Sequence, residues 1–309
     1  MTNAAPSSGV IPPVCTPLTP EREVDTASLT RLVDHLLEGG VHGLFVLGSS
    51  SEVAFLPDRH RRTVLDIVLG HVAGQVPVLA GVIDMTAPRV VDHARVAAEA
   101  GAAGLVATAP FYTRTHPAEI ATHFRAIAAA TDLPVYAYDL PVSVHSKLPA
   151  DVLLELAAEG VLAGLKDSSG DEAGLRQVIL GRRDRGLESF AVFTGSELTV
   201  DSALWMGADG VVPGLGNVDP HAYVRLYEAA RRGDWTAARE EQERLFRLFG
   251  LVNVGGPHMG RGSSALGAFK AALHLRGVID HPTTALPQVP LDAAEIDQVK
   301  TFLSEAALI

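Results

Sequence analysis

Short apolar runs alternate with longer amphipathic stretches along most of this 309-residue chain. Each run is rich in residues favoured in strands and is bounded by glycine, proline or polar residues, whereas each stretch carries apolar residues at helical spacing. The predicted strands are 9–18, 43–47, 77–83, 104–109, 134–138, 162–166, 190–194 and 210–212. The predicted helices are 25–38, 57–72, 88–100, 117–130, 149–158, 172–182, 198–206 and 220–231. Eight strand–helix units predict an α/β protein whose parallel sheet closes into a (β/α)8 TIM barrel.

The strand pattern stops after the eighth unit. Periodicity predicts three further helices, at 235–251, 263–275 and 293–308, with glycine and proline breakers between them. The sequence therefore predicts a flexible tail at 1–8, the barrel at 9–232 and a C-terminal helical domain at 233–309. The tail is small and polar, with neither a basic region nor an apolar stretch, so we do not expect a signal peptide.

Composition narrows the class of protein. Hydrophobic residues make up 47% of the chain and charged residues 20%, which suits a soluble enzyme built around a buried parallel sheet. The net charge of -11 argues against a nucleic-acid partner, and no apolar run is long enough for a membrane span. The single cysteine, Cys15, cannot form an internal disulfide, so we expect a reducing compartment and a cytoplasmic location.

The sixth predicted strand ends in a lysine, Lys166, although the chain has only four lysines among its 25 basic residues. Reactive groups in such a barrel come from the C-terminal ends of the strands. Burial disfavours the charged ammonium, and a neutral amine can attack a carbonyl carbon. The alternative is a lysine that reaches solvent or pairs with Asp167.

Other strand ends carry hydroxyl groups. Tyr138 ends the fifth strand, and Ser49 and Ser50 follow the second. An amine close to a phenol suits Schiff-base chemistry on a 2-oxo acid, with the phenol moving protons and the serine loop holding the carboxylate. Alternatively, the serines form an ordinary polar loop and Tyr138 is a core residue. The strand ends carry no pair of histidines at metal-ligand spacing and no Ser-His-Asp arrangement, so we expect neither a metal nor an organic cofactor.

At these positions the chain resembles the pyruvate-dependent class I aldolases, a family that includes dihydrodipicolinate synthase, N-acetylneuraminate lyase and 2-keto-3-deoxygluconate aldolase. The similar segments are G-[ST]-[ST]-G-E at 48–52, P-[FY]-Y at 110–112, Y-N-x-P at 138–141, G-[IL]-K-[DE]-[SA]-[ST]-G at 164–170 and the eighth strand at 210–214. The match covers nearly the whole chain. It implies the barrel fold, a lyase activity and pyruvate as a common substrate or product.

The resemblance also implies roles for individual residues. Lys166 would form the Schiff base, Tyr138 would shuttle protons, and Ser49 and Ser50 would bind the pyruvate carboxylate, with Ser49 also counted among the catalytic residues. Tyr112, also counted among the catalytic residues, would reach the site of a neighbouring subunit, which implies a homotetramer or at least a dimer.

The remaining positions implied by the resemblance concern the substrate. Val212 would lie against pyruvate. The segment 143–146, which includes Ser143 and His145, would face the aldehyde half of the substrate together with Gly195, Ser196 and Glu197. We expect His145 to affect the choice of substrate more than pyruvate binding.

Three departures from the family pattern shape the functional hypothesis. Ser51 replaces a glycine, which changes the serine loop if that position needs a positive φ. Asp139 replaces an asparagine. Ser143 stands where dihydrodipicolinate synthases carry an arginine for the carboxylate of their second substrate, and a serine cannot make that bidentate contact. We also expect Glu52, the acid of the serine loop, to be structural.

The sequence therefore favours an aldolase that cleaves a 2-keto-3-deoxy sugar acid, or a similar 2-oxo acid, to pyruvate and an aldehyde. One alternative keeps the Schiff base but makes the protein a dehydratase or a 4-hydroxy-tetrahydrodipicolinate synthase. An alternative of another class is a barrel that binds a 2-oxo acid without turnover.

Overall fold

A computed structural model of the protein describes residues 4–309. Its eight parallel strands are β1 (Gly9–Val10), β2 (Leu44–Val46), β3 (Val78–Gly81), β4 (Gly104–Thr108), β5 (Val135–Asp139), β6 (Gly164–Asp167), β7 (Ala191–Thr194) and β8 (Gly210–Val211). They are ordered β1-β8-β7-β6-β5-β4-β3-β2. A parallel bridge between Pro13 and Phe45 joins the chain after β1 to β2, and the Val14 N–H donates to the Phe45 carbonyl at 2.8 Å. The sheet thus closes, and the predicted (β/α)8 barrel is confirmed.

Residues 4–309 also form twelve helices, nine of which lie between or directly after the strands and three of which follow at the C-terminal end. They are α1 (Thr26–Glu38), α2 (Asp58–Val72), α3 (Ala87–Ala100), α4 (Pro117–Ala128), α5 (Pro141–Val144), α6 (Ala150–Ala158), α7 (Glu172–Asp184), α8 (Val200–Met206), α9 (Pro220–Arg231), α10 (Trp235–Phe249), α11 (Arg261–Leu275) and α12 (Ala293–Glu305). Short 3-10 helices lie at Val53–Phe55, Gly214–Asn217 and Gly250–Asn253. Aspartate side chains cap the N-termini of α1, α7, α9, α10 and α12 by accepting backbone N–H groups.

Two elements of the structure differ from the prediction. The strand predicted at 9–18 was wrong in length, because β1 ends at Val10. Pro12 and Pro13 follow and cannot donate to a ladder, so after Val10 the chain joins β2 through the isolated bridge at Pro13. The second difference is α5, which was not predicted. Its four residues are too few to show a helical period, although Pro141 occupies a first-turn position where proline is tolerated.

The three C-terminal helices pack on the barrel through a shared core. Buried leucines of this region, such as Leu245, Leu248 and Leu303, belong to the same hydrophobic cluster as the strands. The division between 9–232 and 233–309 therefore stays a prediction based on secondary structure alone. Among residues 4–309, none of the helices has the length and apolar character needed to span a bilayer.

Cys15 offers a direct probe of this packing. Its side chain is 1% exposed, and burial raises the pKa of the thiol to about 12. We expect native protein at pH 8 to resist labelling by a chromogenic disulfide reagent, while protein unfolded in urea reacts with one equivalent. The reaction is followed by absorbance. Full labelling of the native protein at the rate seen in urea would contradict the buried position.

Candidate active site

Lys166 and Tyr138 lie side by side in the barrel interior. They are register partners on β6 and β5, and both are at the C-terminal ends of their strands. The Lys166 Nζ lies 4.0 Å from the centroid of the Tyr138 ring and 5.0 Å from that of Phe45. Phe45 belongs to β2, which is far from β6 in the strand order, so these side chains meet across the barrel. Lys166 is only 6% exposed, and the alternative of a lysine extended into solvent is therefore wrong.

The serine loop reaches the same group of side chains. The Ser49 Oγ lies 3.4 Å from the Tyr138 Oη, at the long end of hydrogen-bond distances. The Tyr138 ring packs edge-on against Phe45, with centroids 6.3 Å apart. Three of the predicted catalytic residues, from the loop after β2 and from strands β5 and β6, are thus brought together. Phe45 was not singled out from the sequence, because a phenylalanine inside a strand is by default a core residue.

Ser51 fits the serine loop without backbone strain. The positive φ values in this region belong to Leu47 (58°) and Glu52 (61°), whereas Ser51 is not among the positive-φ residues. Its side chain donates a hydrogen bond to the Val14 carbonyl, and its carbonyl accepts one from the Thr16 Oγ1 at 2.9 Å. The serine that replaces glycine therefore fastens the loop to the chain that follows β1.

Glu52 connects the serine loop to the C-terminal helices. Its side chain is fully buried and forms an ion pair with Lys270 of α11, whose Nζ also donates to the Thr283 carbonyl at 2.7 Å. The Glu52 Oε2 accepts the Ala285 N–H at 2.6 Å. Glu52 therefore makes structural contacts, as expected, but its partners come from the far end of the chain.

Removing one partner of the buried Glu52–Lys270 pair should lower the free energy of unfolding more than removing an exposed ion pair does. We expect Lys270→Met to lower the free energy of unfolding by about 3–5 kcal/mol, because the Glu52 carboxylate would remain buried without its cation. The double variant Glu52→Gln/Lys270→Met should recover part of the loss. Urea denaturation followed by circular dichroism measures both. Arg62→Met, which breaks the exposed pair with Asp66 on α2, serves as the control and should change the midpoint far less.

Glu197 lies on the same side of the barrel as the amine. Its Oε1 accepts the Gly214 N–H at 2.8 Å. Burial raises the pKa of the Glu197 carboxyl, while the Gly214 hydrogen bond and the charge of Lys166 oppose that rise. A Cβ on Gly214 would lie 2.9 Å from the Glu197 Oε1 and 3.3 Å from the Ser50 Oγ, so the two side chains converge over this glycine. The sequence associated Glu197 only with the aldehyde half of a substrate. The order of the strands does not show that the Glu197 carboxyl lies close enough to Lys166 to be affected by its charge.

Gly195 and Ser196 lie beside a cavity of about 360 Å³ between the ends of β6 and β7 and the helices α7 and α8. A Cβ on Gly195 would lie 1.9 Å from the Ser168 Oγ, so a larger residue at this position would displace that hydroxyl. The Ser196 Oγ accepts hydrogen bonds from the Leu198 N–H and the Thr199 Oγ1, both at 3.1 Å. The hydroxyls of these loops thus gather directly after the strand that carries the amine.

The other predicted residues are more scattered. Val212 is buried after β8, where its N–H donates to the Thr194 carbonyl at 2.8 Å. Ser143 and His145 are exposed in the segment that follows β5. Tyr112 is 89% exposed with a φ of 82°, so its phenol projects from this chain instead of joining the interior group. Among residues 4–309, no cluster of three or more His, Cys, Asp or Glu side chains could hold a metal ion.

Comparison with known proteins gives matches over most of the chain. The sequence model of the Dihydrodipicolinate synthetase family matches residues 6–306. An uncharacterized DapA-like lyase of Halobacterium salinarum is 35% identical over 87% of this chain and 84% of its own. A 4-hydroxy-tetrahydrodipicolinate synthase of Methanospirillum hungatei is 31% identical over 78% of this chain and 82% of its own.

One relative matches in both sequence and structure. The putative 2-dehydro-3-deoxy-D-gluconate aldolase YagE of Escherichia coli K12 is 29% identical over the full length of both chains. The crystal structure of YagE in complex with pyruvate has a TM-score of 0.91 to this chain and covers 99% of it, with 100% of the YagE chain matched. One of these relatives is thus named as an aldolase and another as a synthase. Their names do not show which of the two activities this chain has.

Proposed function

Because the chain belongs to the dihydrodipicolinate synthetase family, whose members are pyruvate-dependent lyases, we propose that it cleaves or forms a 2-keto-3-deoxy sugar acid through a Schiff base on Lys166. The observation that carries the proposal is the contact between the buried Lys166 Nζ and the Tyr138 ring, 4.0 Å apart, with the Ser49 Oγ at the phenol. The family resemblance read from the motifs and the match to residues 6–306 agree on the class of enzyme.

The proposed reaction starts when the neutral Lys166 amine adds to the C2 ketone. The Tyr138 phenol then protonates the hydroxyl that leaves as water, which gives an iminium and a phenolate. In the cleavage direction the Tyr138 phenolate takes the proton of the C4 hydroxyl, and the C3–C4 bond breaks. The bonding electrons flow into the iminium to give an enamine, and the aldehyde leaves. The phenol then returns a proton to C3, and hydrolysis of the imine releases pyruvate and restores the amine. Ser49 and Ser50 hold the carboxylate throughout.

One feature favours a hydroxylated substrate over the second substrate of a synthase. Ser143 takes the place of the carboxylate-binding arginine and carries no charge. An uncharged, hydroxylated half of a substrate needs no such cation.

We also propose that the active form is a homodimer or homotetramer, located in the cytoplasm, in which Tyr112 completes the site of a neighbouring copy. The exposed phenol and the positive φ of Tyr112 support this proposal, since strained backbone is often retained where it serves a function. Size-exclusion chromatography with light scattering tests the assembly. A monomer with full activity would refute it.

The substrate proposal is tested with a panel of 2-keto-3-deoxy sugar acids and N-acetylneuraminate. We expect release of pyruvate and an equimolar amount of aldehyde from at least one sugar acid, measured with a pyruvate-reducing coupling enzyme and by NMR. A product that retains every carbon would identify a dehydratase, and condensation of pyruvate with aspartate semialdehyde would identify the synthase. Binding of pyruvate without exchange of its methyl protons in deuterated water would identify a barrel without turnover.

A further inference from the structure

Asp139 is a buried acid beside the proposed proton shuttle but on the opposite face of the sheet. It is the last residue of β5 and follows Tyr138, so its side chain points away from the barrel interior. Asp139 is 0% exposed and forms an ion pair with the Lys147 Nζ. Its Oδ1 also accepts the Leu148 N–H at 3.1 Å. The carboxylate therefore ties the far end of the segment 140–148 back to the strand from which the segment starts.

The segment 140–148 has few other attachments. Val142, Ser143 and His145 are exposed, and His145 ends α5 in a left-handed conformation with a φ of 58°. Val144 and Leu148 are buried and anchor the segment by apolar contact. Ser143 and His145 thus lie on the part of the chain whose two ends the Asp139 contacts hold together.

The charges around Asp139 explain why a lysine accompanies it. Asp167 is its register partner on β6, and it is also buried. Burial raises the pKa of the Asp139 carboxyl, with a smaller contribution from Asp167, and Lys147 opposes both. An asparagine at this position, as in the family pattern, would need no cation. Asp139 and Lys147 therefore form a matched pair, and Lys147 is one of only four lysines in the chain.

We propose that the Asp139–Lys147 ion pair determines substrate specificity by fixing the segment 140–148 at the mouth of the barrel. In this role the pair sets where Ser143 and His145 meet the aldehyde-derived half of the substrate. It takes no part in imine formation, because both groups lie outside the barrel interior that holds Lys166. Asp139 and Lys147 are thus positioning residues, and the inference rests on the proposed function.

Lys147→Met tests the proposal by measuring two half-reactions separately. We expect the exchange of pyruvate methyl protons to stay within about twofold of wild type, because it needs only the interior group. The KM for the best sugar acid should rise about tenfold, and discrimination among the panel should narrow, since small misplacements of binding groups have large effects. Lys147→Arg should restore the selectivity, and Asp139→Asn/Lys147→Met should recover part of it by removing the unpaired buried charge.

Arg182→Met is the matched control. It breaks a comparable partly buried pair with Asp209, which precedes β8 at the opposite end of the barrel. We expect it to lower the melting temperature without any split between the two half-reactions. The inference is overturned if Lys147→Met behaves like this control, or if it reduces proton exchange and sugar-acid cleavage equally.

A readout without catalysis separates this inference from the proposed function. Amide hydrogen exchange of residues 140–148 should become faster in Lys147→Met and stay unchanged in Arg182→Met. Unchanged protection in both variants would refute the positioning role even if no member of the panel is a substrate. Conversely, failure of wild type to cleave any sugar acid, with faster exchange in Lys147→Met, would reject the substrate class and keep the role of the pair in holding the segment.

Discussion

Replacing Lys166 by Met is expected to lower kcat for sugar-acid cleavage by about 10⁴-fold or more, because removal of a covalent nucleophile leaves only binding and polarisation. Methionine keeps the length of the side chain and makes favourable contacts with aromatic rings, so the packing against Tyr138 and Phe45 should survive. Exchange of the pyruvate methyl protons should disappear together with cleavage, since both steps need the imine. Coupled pyruvate release and NMR in deuterated water measure the two rates.

Lys300→Met provides the control for this substitution. Lys300 is exposed on α12, far from the strand ends, and its replacement should leave both rates unchanged. A Lys166→Met enzyme with more than about a tenth of the wild-type rate would contradict the Schiff-base account, because no nucleophile would then be needed at this position.

Replacing Tyr138 by Phe is expected to lower kcat by about 10²–10⁴-fold, the usual contribution of a positioned acid–base group. The phenylalanine ring would still pack against the Lys166 Nζ, so the variant removes only the hydroxyl that meets Ser49. Imine formation with pyruvate should persist at a reduced rate, while the KM for the sugar acid changes little. Single-turnover cleavage with trapping of the imine separates the two steps.

The same strand offers a matched control in Tyr136→Phe. The Tyr136 Oη donates to the Pro6 carbonyl at 2.8 Å, near the N-terminal end of the barrel. We expect this variant to lose stability but keep its kcat. If both tyrosine variants lower kcat by the same factor, the phenol of Tyr138 is not the proton shuttle.

The barrel could be predicted from the sequence because its strands are buried on both faces. Such strands appear as continuous apolar runs, as in Gly104–Thr108 and Ala191–Thr194, and the predicted bounds lie within two residues of these strands. Lys166, Tyr138 and Ser49 could be grouped for a related reason, since the ends of parallel strands meet at one edge of the barrel. The first strand was predicted too long because apolar residues continue past the prolines that end its ladder.

The partners of the buried acids could not be predicted, because tertiary packing chooses them. No local pattern joins Glu52 to Lys270 or Asp139 to Lys147. The scarcity of lysine in the sequence indicates that individual lysines have specific roles, but only Lys166 was predicted to have one on this basis. Lys270 is also fully buried, and Lys147 pairs with a fully buried acid, so three of the four lysines mark specific contacts in a chain that makes its basic surface from arginine.

Reductive trapping shows whether Lys166 forms an imine with pyruvate. Wild-type protein is incubated with pyruvate and borohydride, and the product is analysed by intact mass and by peptide mapping. We predict one covalent pyruvate-derived adduct per chain, located on the peptide that contains Lys166 and absent from Lys166→Met. No adduct on the wild-type protein, or an adduct on Lys147, Lys270 or Lys300 instead, would contradict the account.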